Sequence, residues 1–248
     1  MTNPQPLASD LNLSDNAFWA QPPEQRYAAY RTLRALPAPP FFEAGNNPFG
    51  TPERGYYALV RHADVAEASR NPQLFSSAAG ATSIFDLPVE FNEYFGSMIG
   101  MDDPRHARLR RIVSRAFTPK MIRKFEEDVR RAAGVIVDEL LATGPCDFVR
   151  HVSARLPLKI ICDMMGISDE HYEMVLRNTN IILSGADPEF ISADMNEGLT
   201  QILTAGGDLA ALVMGLAEQR QASPTDDLVS SLANANIDGE QLTPAELA

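Results

Sequence analysis

Apolar side chains return every three or four residues along most of the chain, and that period predicts a succession of amphipathic helices. Tyr27, Tyr30, Leu33 and Leu36 set the first, Glu24 to Leu36, between Pro22-Pro23 and the stop at Pro37, Pro39 and Pro40. Further on, Asp102 and Asp103 ahead of Pro104 read as a helix start, because carboxylates and proline suit a first turn. Leu109, Ile112, Val113, Ala116 and Phe117 then share one arc, Arg108, Arg111 and Arg115 the opposite side, and Thr118-Pro119 ends the run. Met121 to Thr143 repeats the pattern through Phe125, Val129, Ala133, Ile136, Leu140 and Leu141. Val149 to Met165 is a single long apolar helix closed by Gly166. Ser168-Asp169-Glu170 opens a helix to Leu183 that turns Met174, Val175, Asn178, Ile181 and Ile182 inward. Glu197 to Gln219 and the stretch after Asp226-Asp227 follow it.

Three stretches depart from the helical period. Gly55 to Arg61 is rich in aromatic and β-branched residues and predicts a strand, followed by a short helix from His62 that Asn71-Pro72 closes. Ser77 to Gly100 resists any period while carrying Ile84, Phe85, Phe91, Phe95, Met98 and Ile99. Such apolar content argues against disorder and leaves a packed loop or a binding loop open. Residues 1 to about 20 are polar and proline-bearing and read as a loosely ordered arm, and the length of residues 21–248 allows one large domain or two small ones.

The chain's 248 residues, 45% of them hydrophobic, can bury a substantial core. No run of about 18 apolar residues stands out, and Met1-Thr2-Asn3-Pro4-Gln5-Pro6 does not resemble a signal peptide, so a cytoplasmic protein without a membrane span is expected. Two cysteines, Cys146 and Cys162, make no disulfide framework and suit a reducing compartment. A formal charge of -12 argues against nucleic-acid binding, so the arginines at 108, 111 and 115 form a basic patch on an acidic protein. That patch is either a docking face for an acidic partner or a solvated helix face.

His106 and Arg110 are the candidates for chemistry. They lie one turn apart at the edge of the apolar arc, where two cationic or donor groups are costly unless an anion meets them. A surface helix with several arginines explains the same spacing. The pattern Asp102-Asp103-Pro104-x-His106-x-x-Leu109-Arg110-Arg111-x-Val113-x-x-Ala116-Phe117-Thr118-Pro119 resembles the C helix of bacterial cytochrome P-450 enzymes, the haem-thiolate monooxygenases. Tyr57-x-Leu59-Val60 through Asn71-Pro72-x-Leu74-Phe75-Ser76-Ser77 resembles that family's first sheet and B helix. Leu156-Pro157-Leu158-Lys159-Ile160-Ile161-Cys162-Asp163-Met164-Met165-Gly166-Ile167 is similar to its E helix. Tyr94-Phe95-Gly96-Ser97-Met98-Ile99 is closest to actinobacterial members that hydroxylate sterols and methyl-branched lipids.

The resemblance implies a mainly α fold with a small β-sheet near the amino terminus, the amino-terminal portion of the P-450 fold from helix A to the start of helix I. It implies a haem b cofactor whose propionate is held by His106 and Arg110, with Met98 and Ile99 as further cofactor contacts. It makes residues 77–100 the loop over the distal haem face, with Ile84, Phe85, Phe91, Phe95, Ile181 and Ile182 lining a pocket for a hydrophobic, lipid- or sterol-like substrate. It brings O2 as co-substrate, and ferredoxin with its reductase as electron donors docking at Arg108, Arg111 and Arg115.

Some expected parts are missing. Thr243-Pro244-Ala245-Glu246 is a full capping box with almost no helix after it, so the chain reads as cut short. Ala205-Gly206-Gly207-Asp208-Leu209 resembles the family's oxygen-activating motif without its threonine and is read as a decoy. Neither Cys146 nor Cys162 sits in the family's thiolate frame, so no metal ligand is assigned, and residues 1–248 alone are expected to be inactive. The other reading is a stand-alone helical protein that binds hydrophobic ligands or regulates without redox chemistry.

Overall fold

The structure is a computed structural model that describes residues 10–43, 55–80, 84, 88–184, 187–235, 239 and 241–247. Phe85 lies outside the described residues. Contacts divide the chain into two units, Met1–His106 and Ala107–Ala248.

In the first unit, α1 (Asn16–Trp19) is capped by the Asp15 carboxylate, which accepts from the Ala17 amide. Helix α2 (Pro23–Arg34) starts on proline, which gives up no hydrogen bond at that position. Strands β1 (Phe41–Phe42) and β2 (Tyr56–Tyr57) pair antiparallel, Phe41 opposite Tyr57 and Phe42 opposite Tyr56. Then come α3 (His62–Arg70), α4 (Val89–Phe95) and a 3-10 turn at Met98–Gly100. Leu13, Phe18, Ala29, Leu33, Phe42 and Ala58 form the core. Leu13 and Phe18 correct the expectation of a loose arm, for Phe18 packs edge-on against Trp19 and Tyr30, and Trp19 Nε1 donates to the Leu13 carbonyl at 2.9 Å. The strand is shorter than expected because pairing stops after the Ala58 amide reaches Pro40 and the chain turns into α3 at Arg61. Helix α4 was not expected, since two turns are too few for a period to emerge.

Helix α5 (Arg105–Ala116) contains the boundary between the units. In the second unit, α6 (Pro119–Thr143) is capped by Thr118, whose hydroxyl accepts from the Met121 amide. The expected helix at 149–165 is in two pieces, a π-helical stretch Val149–Ser153 and α7 (Arg155–Met165). Helices α8 (Tyr172–Leu183), α9 (Met195–Ala222), α10 (Leu228–Ala233) and α11 (Pro244–Leu247) complete it. Helix α9 packs against α8 and α10, and α7 against α6 and α8. A core of Cys162, Ile167 and Val175 receives Leu158, Met165, Leu209, Leu212 and Leu216.

One sequence expectation changes here. Over Asn196–Ala222, α9 is long and apolar enough by length and composition to cross a membrane, an 18-residue window within it having mean hydropathy 1.4, although threonines and glycines interrupt its apolar run. The stretch Ala205–Leu209 lies within α9, where Ala205 is buried and Asp208 accepts a hydrogen bond from Asn178 Nδ2 of α8 at 3.2 Å. Its small residues and its acid therefore serve a helix–helix contact.

Candidate functional site around the turn before α5 and α5 itself

The turn before α5 is built on Asp102. Its carboxylate accepts from Ser76 Oγ at 2.5 Å and from the Ser77 amide at 2.8 Å. These bonds, that of Ser76 first, hold Asp102 below the ordinary carboxylate range. Asp102 therefore pins the 76–77 segment instead of capping α5 with its side chain, and only its backbone carbonyl meets the helix, accepting from the His106 amide at 3.0 Å. The helix begins at Arg105, one residue past the proline expected to open it.

Ser97 caps the turn at Met98–Gly100 through the Ile99 amide, which places the Met98 carbonyl 2.8 Å from His106 Nδ1. A carbonyl can only accept, so Nδ1 carries the proton. His106 is half-buried, and its Nε2 has no hydrogen-bond partner among the described residues. His106 and Met98 are thus brought together, while Ile99 is 61% exposed.

Leu109 and Ile112 carry the buried side of α5, and Phe117, expected on that arc, lies past the helix end and is 40% exposed. Arg110 is exposed and has no hydrogen bond or ion pair to the described residues. Arg111 and Arg115 are exposed as well. Arg108 is not on the open face that helical spacing assigned to it, since its guanidinium donates to Glu246 at 2.6 Å and to the Gln241 carbonyl at 2.8 Å.

The residues expected to line a substrate pocket are divided between the two units. Ile84 is 46% exposed. On α4, Phe91 and Phe95 stack with ring centroids 4.8 Å apart and Tyr94 meets Phe95 edge-on. Ile181 and Ile182 are half-buried on α8 in the second unit. Cys162 is fully buried and its thiol is pushed up to about 11, by burial first and then by Asp163, so it stays protonated at neutral pH. Cys146 is half-buried. Among the described residues no cluster of potential metal ligands occurs.

One polar cluster was missed. A cleft of about 1170 Å³ between α6, α7 and α8 is lined by Ala132, Ile136, Leu158 and Leu176 together with Lys159, Asp163 and Tyr172. Lys159 Nζ donates to Asp163 at 2.6 Å and to the Tyr172 hydroxyl at 2.8 Å, and that hydroxyl donates to Asp163 at 2.6 Å. Burial pulls the Lys159 ammonium down, but the bonds to Asp163 and Tyr172 outweigh it and hold it above its ordinary value. The four-residue spacing of Lys159 and Asp163 on one helix was the available signal.

The chain is 40% identical over 248 residues to a methyl-branched lipid omega-hydroxylase of Mycobacterium tuberculosis, covering 99% of this chain and 56% of that protein. It is 36% identical over 206 residues to a steroid C26-monooxygenase of Mycolicibacterium smegmatis, covering 82% of this chain and 46% of the relative. Among solved structures, a cytochrome P450 of Mycobacterium marinum in complex with pseudoionone superposes with a TM-score of 0.82 at 34% identity. That match covers 95% of this chain and 57% of the other. No family-level sequence model matches. The chain belongs to the cytochrome P450 family and carries a portion of its mainly helical fold, spanning about half the length of the curated relatives it matches. Full-length homologues in this family use haem b.

Proposed function

We propose that this chain forms the part of a haem-dependent monooxygenase that holds one edge of the haem and part of the substrate cavity. The whole protein would insert one oxygen atom of O2 into a hydrophobic, lipid- or sterol-like molecule. The observation that carries the reading is the pair on α5, a histidine fixed by Met98 with Nε2 open and an exposed arginine four residues on without a partner among the described residues, in a chain 40% identical to a lipid hydroxylase.

Haem, when bound, would supply the redox chemistry. His106 and Arg110 would hold its propionate. Because Nδ1–H is committed to Met98, His106 can donate to a carboxylate only from Nε2, and only as the imidazolium. Arg110 offers a planar fork of donors suited to the same group. Met98 and Ile99 would give apolar contact at the haem edge, and Ile84, Phe85, Phe91, Phe95, Ile181 and Ile182 would receive an apolar substrate.

The residues test against the cofactor in two ways. Those suited to a carboxylate are present, whereas buried, protonated Cys162 does not fit a thiolate ligand. Electrons would come from an acidic ferredoxin and its reductase, with Arg111 and Arg115 as the docking cations, at a cytoplasmic location that suits two free cysteines.

The test is haem content, read as the reduced carbon monoxide difference spectrum of the full-length protein. Changing His106 and Arg110 together to alanine is expected to lower haem retention. Undiminished haem in the double variant overturns the assignment.

A further inference from the structure

Arg108 was expected in a solvent-facing row, yet its guanidinium is used inside the second unit. Nη1 donates to Glu246 Oε1 at 2.6 Å and Nη2 to the Gln241 carbonyl at 2.8 Å. These acceptors lie on either side of Thr243, the cap of α11. The same Glu246 closes the capping box, its Oε2 accepting from the Thr243 amide at 3.0 Å and hydroxyl at 3.2 Å. Its amide donates back to the Thr243 hydroxyl at 3.2 Å. Glu246 is only 13% exposed in its side chain and Arg108 29%, so solvent screens the pair only in part.

We infer that Arg108 is a positioning residue that fixes the start of α11 to α5. A charge-assisted bond from α5 to the glutamate that closes the capping box ties the first turn of α11 to a second helix. Arg108 lies two positions before Arg110, so the start of α11 is set against the helix that, on the reading proposed above, holds the haem carboxylate. It also follows that Arg108 adds little to the attraction of an acidic partner, because Glu246 already neutralises it.

The test uses the full-length, haem-loaded protein and hydrogen exchange of the amides at 241–247. R108A is expected to exchange there about tenfold faster than wild type while α6 is unaffected. R108K, which keeps a charged donor and leaves the capping box intact, is expected to restore part of the protection. E246Q, which keeps the box but weakens the ion pair, should fall between, and it stands in for R108A if that variant does not fold. The salt dependence of ferredoxin binding separates positioning from docking, for it should flatten in R115A and not in R108A. Unchanged exchange in R108A, failure of R108K to restore any protection, or an R108A salt response equal to that of R115A each overturns the inference. Haem content is read independently, so an R108A failure leaves the haem assignment standing, and a loss of that assignment leaves the exchange result decisive for the anchor.

Discussion

Gly166 ends α7 at φ +75°, and a Cβ there would lie 2.3 Å from Oδ2 of Asp227, a buried carboxylate that cannot swing away. Both the left-handed backbone and the close approach require glycine, so G166A is expected to lose roughly 1–3 kcal/mol, read from the urea midpoint at unchanged m. The glycine was legible as a helix stop; the carboxylate beneath it was not, because sequence spacing carries no information on what a turn faces. The two cysteines give a second test at this scale. With its thiol pushed up to about 11 inside the core, Cys162 should stay unreactive toward a chromogenic disulfide in the native state, while half-buried Cys146 reacts, and C146A should remove the native signal. Asp102 shows how a residue can be read correctly as structural and assigned to the wrong partner. Its carboxylate serves Ser76 and Ser77, some 25 residues back in sequence. Its folded value is held below the ordinary one, so its contribution is present at neutral pH and lost as acid protonates it. D102N should therefore lower stability at neutral pH and narrow the difference from wild type as pH falls through the carboxylate range.

Between elements, the strongest fastening is the one around α10. Asp227 caps that helix through the Ser230 amide at 2.7 Å, and its other oxygen takes Arg220 Nε and Thr225 Oγ1, both at 2.6 Å. Arg220 in turn reaches the Gly166 carbonyl at 3.2 Å, so the end of α7, the end of α9 and the start of α10 share one network. With side chains 18% and 8% exposed, the pair is nearly dry, and removing one member strands the other. R220A is expected to cost about 3 kcal/mol, and the double variant R220A/D227A little more than R220A alone, which a double-mutant cycle in urea would read. Asp226-Asp227 was recognisable as a helix start because capping is local. Arg220 was not, because it reaches its partner across a turn whose geometry only the fold defines. The same divide explains the split helix at 149–165 and the unexpected α4, where local pattern was ambiguous and tertiary packing decided.

For the molecule as a whole, the order and type of the long helices followed from periodicity, and the boundary between the units did not, because it falls inside the continuous amphipathic α5. Several apolar side chains of α6 and α7, most of them off the stripe that periodicity assigned to the core, are uncovered. On α6, Ile122, Val135, Val137 and Leu141 are 53%, 52%, 49% and 78% exposed, and on α7 Ile161 is 48% exposed. Scattered single apolar residues on a surface are ordinary, but several on neighbouring helices, in a chain that covers 56% of a relative's length, are the surface to test for cover in the full-length protein. A polypeptide of residues 1–248 alone should then bind the dye ANS strongly and associate as its concentration rises, while a full-length family member containing this sequence should do neither. Replacing Leu141 and Val137 with lysine should reduce dye binding by the short polypeptide without lowering its helicity in far-ultraviolet circular dichroism, since neither side chain is buried here. The same changes should destabilise the full-length protein by about 2 kcal/mol or more, because lysines would then be forced into covered apolar surface. Equal tolerance in both contexts would mean that these faces stay open in the whole protein.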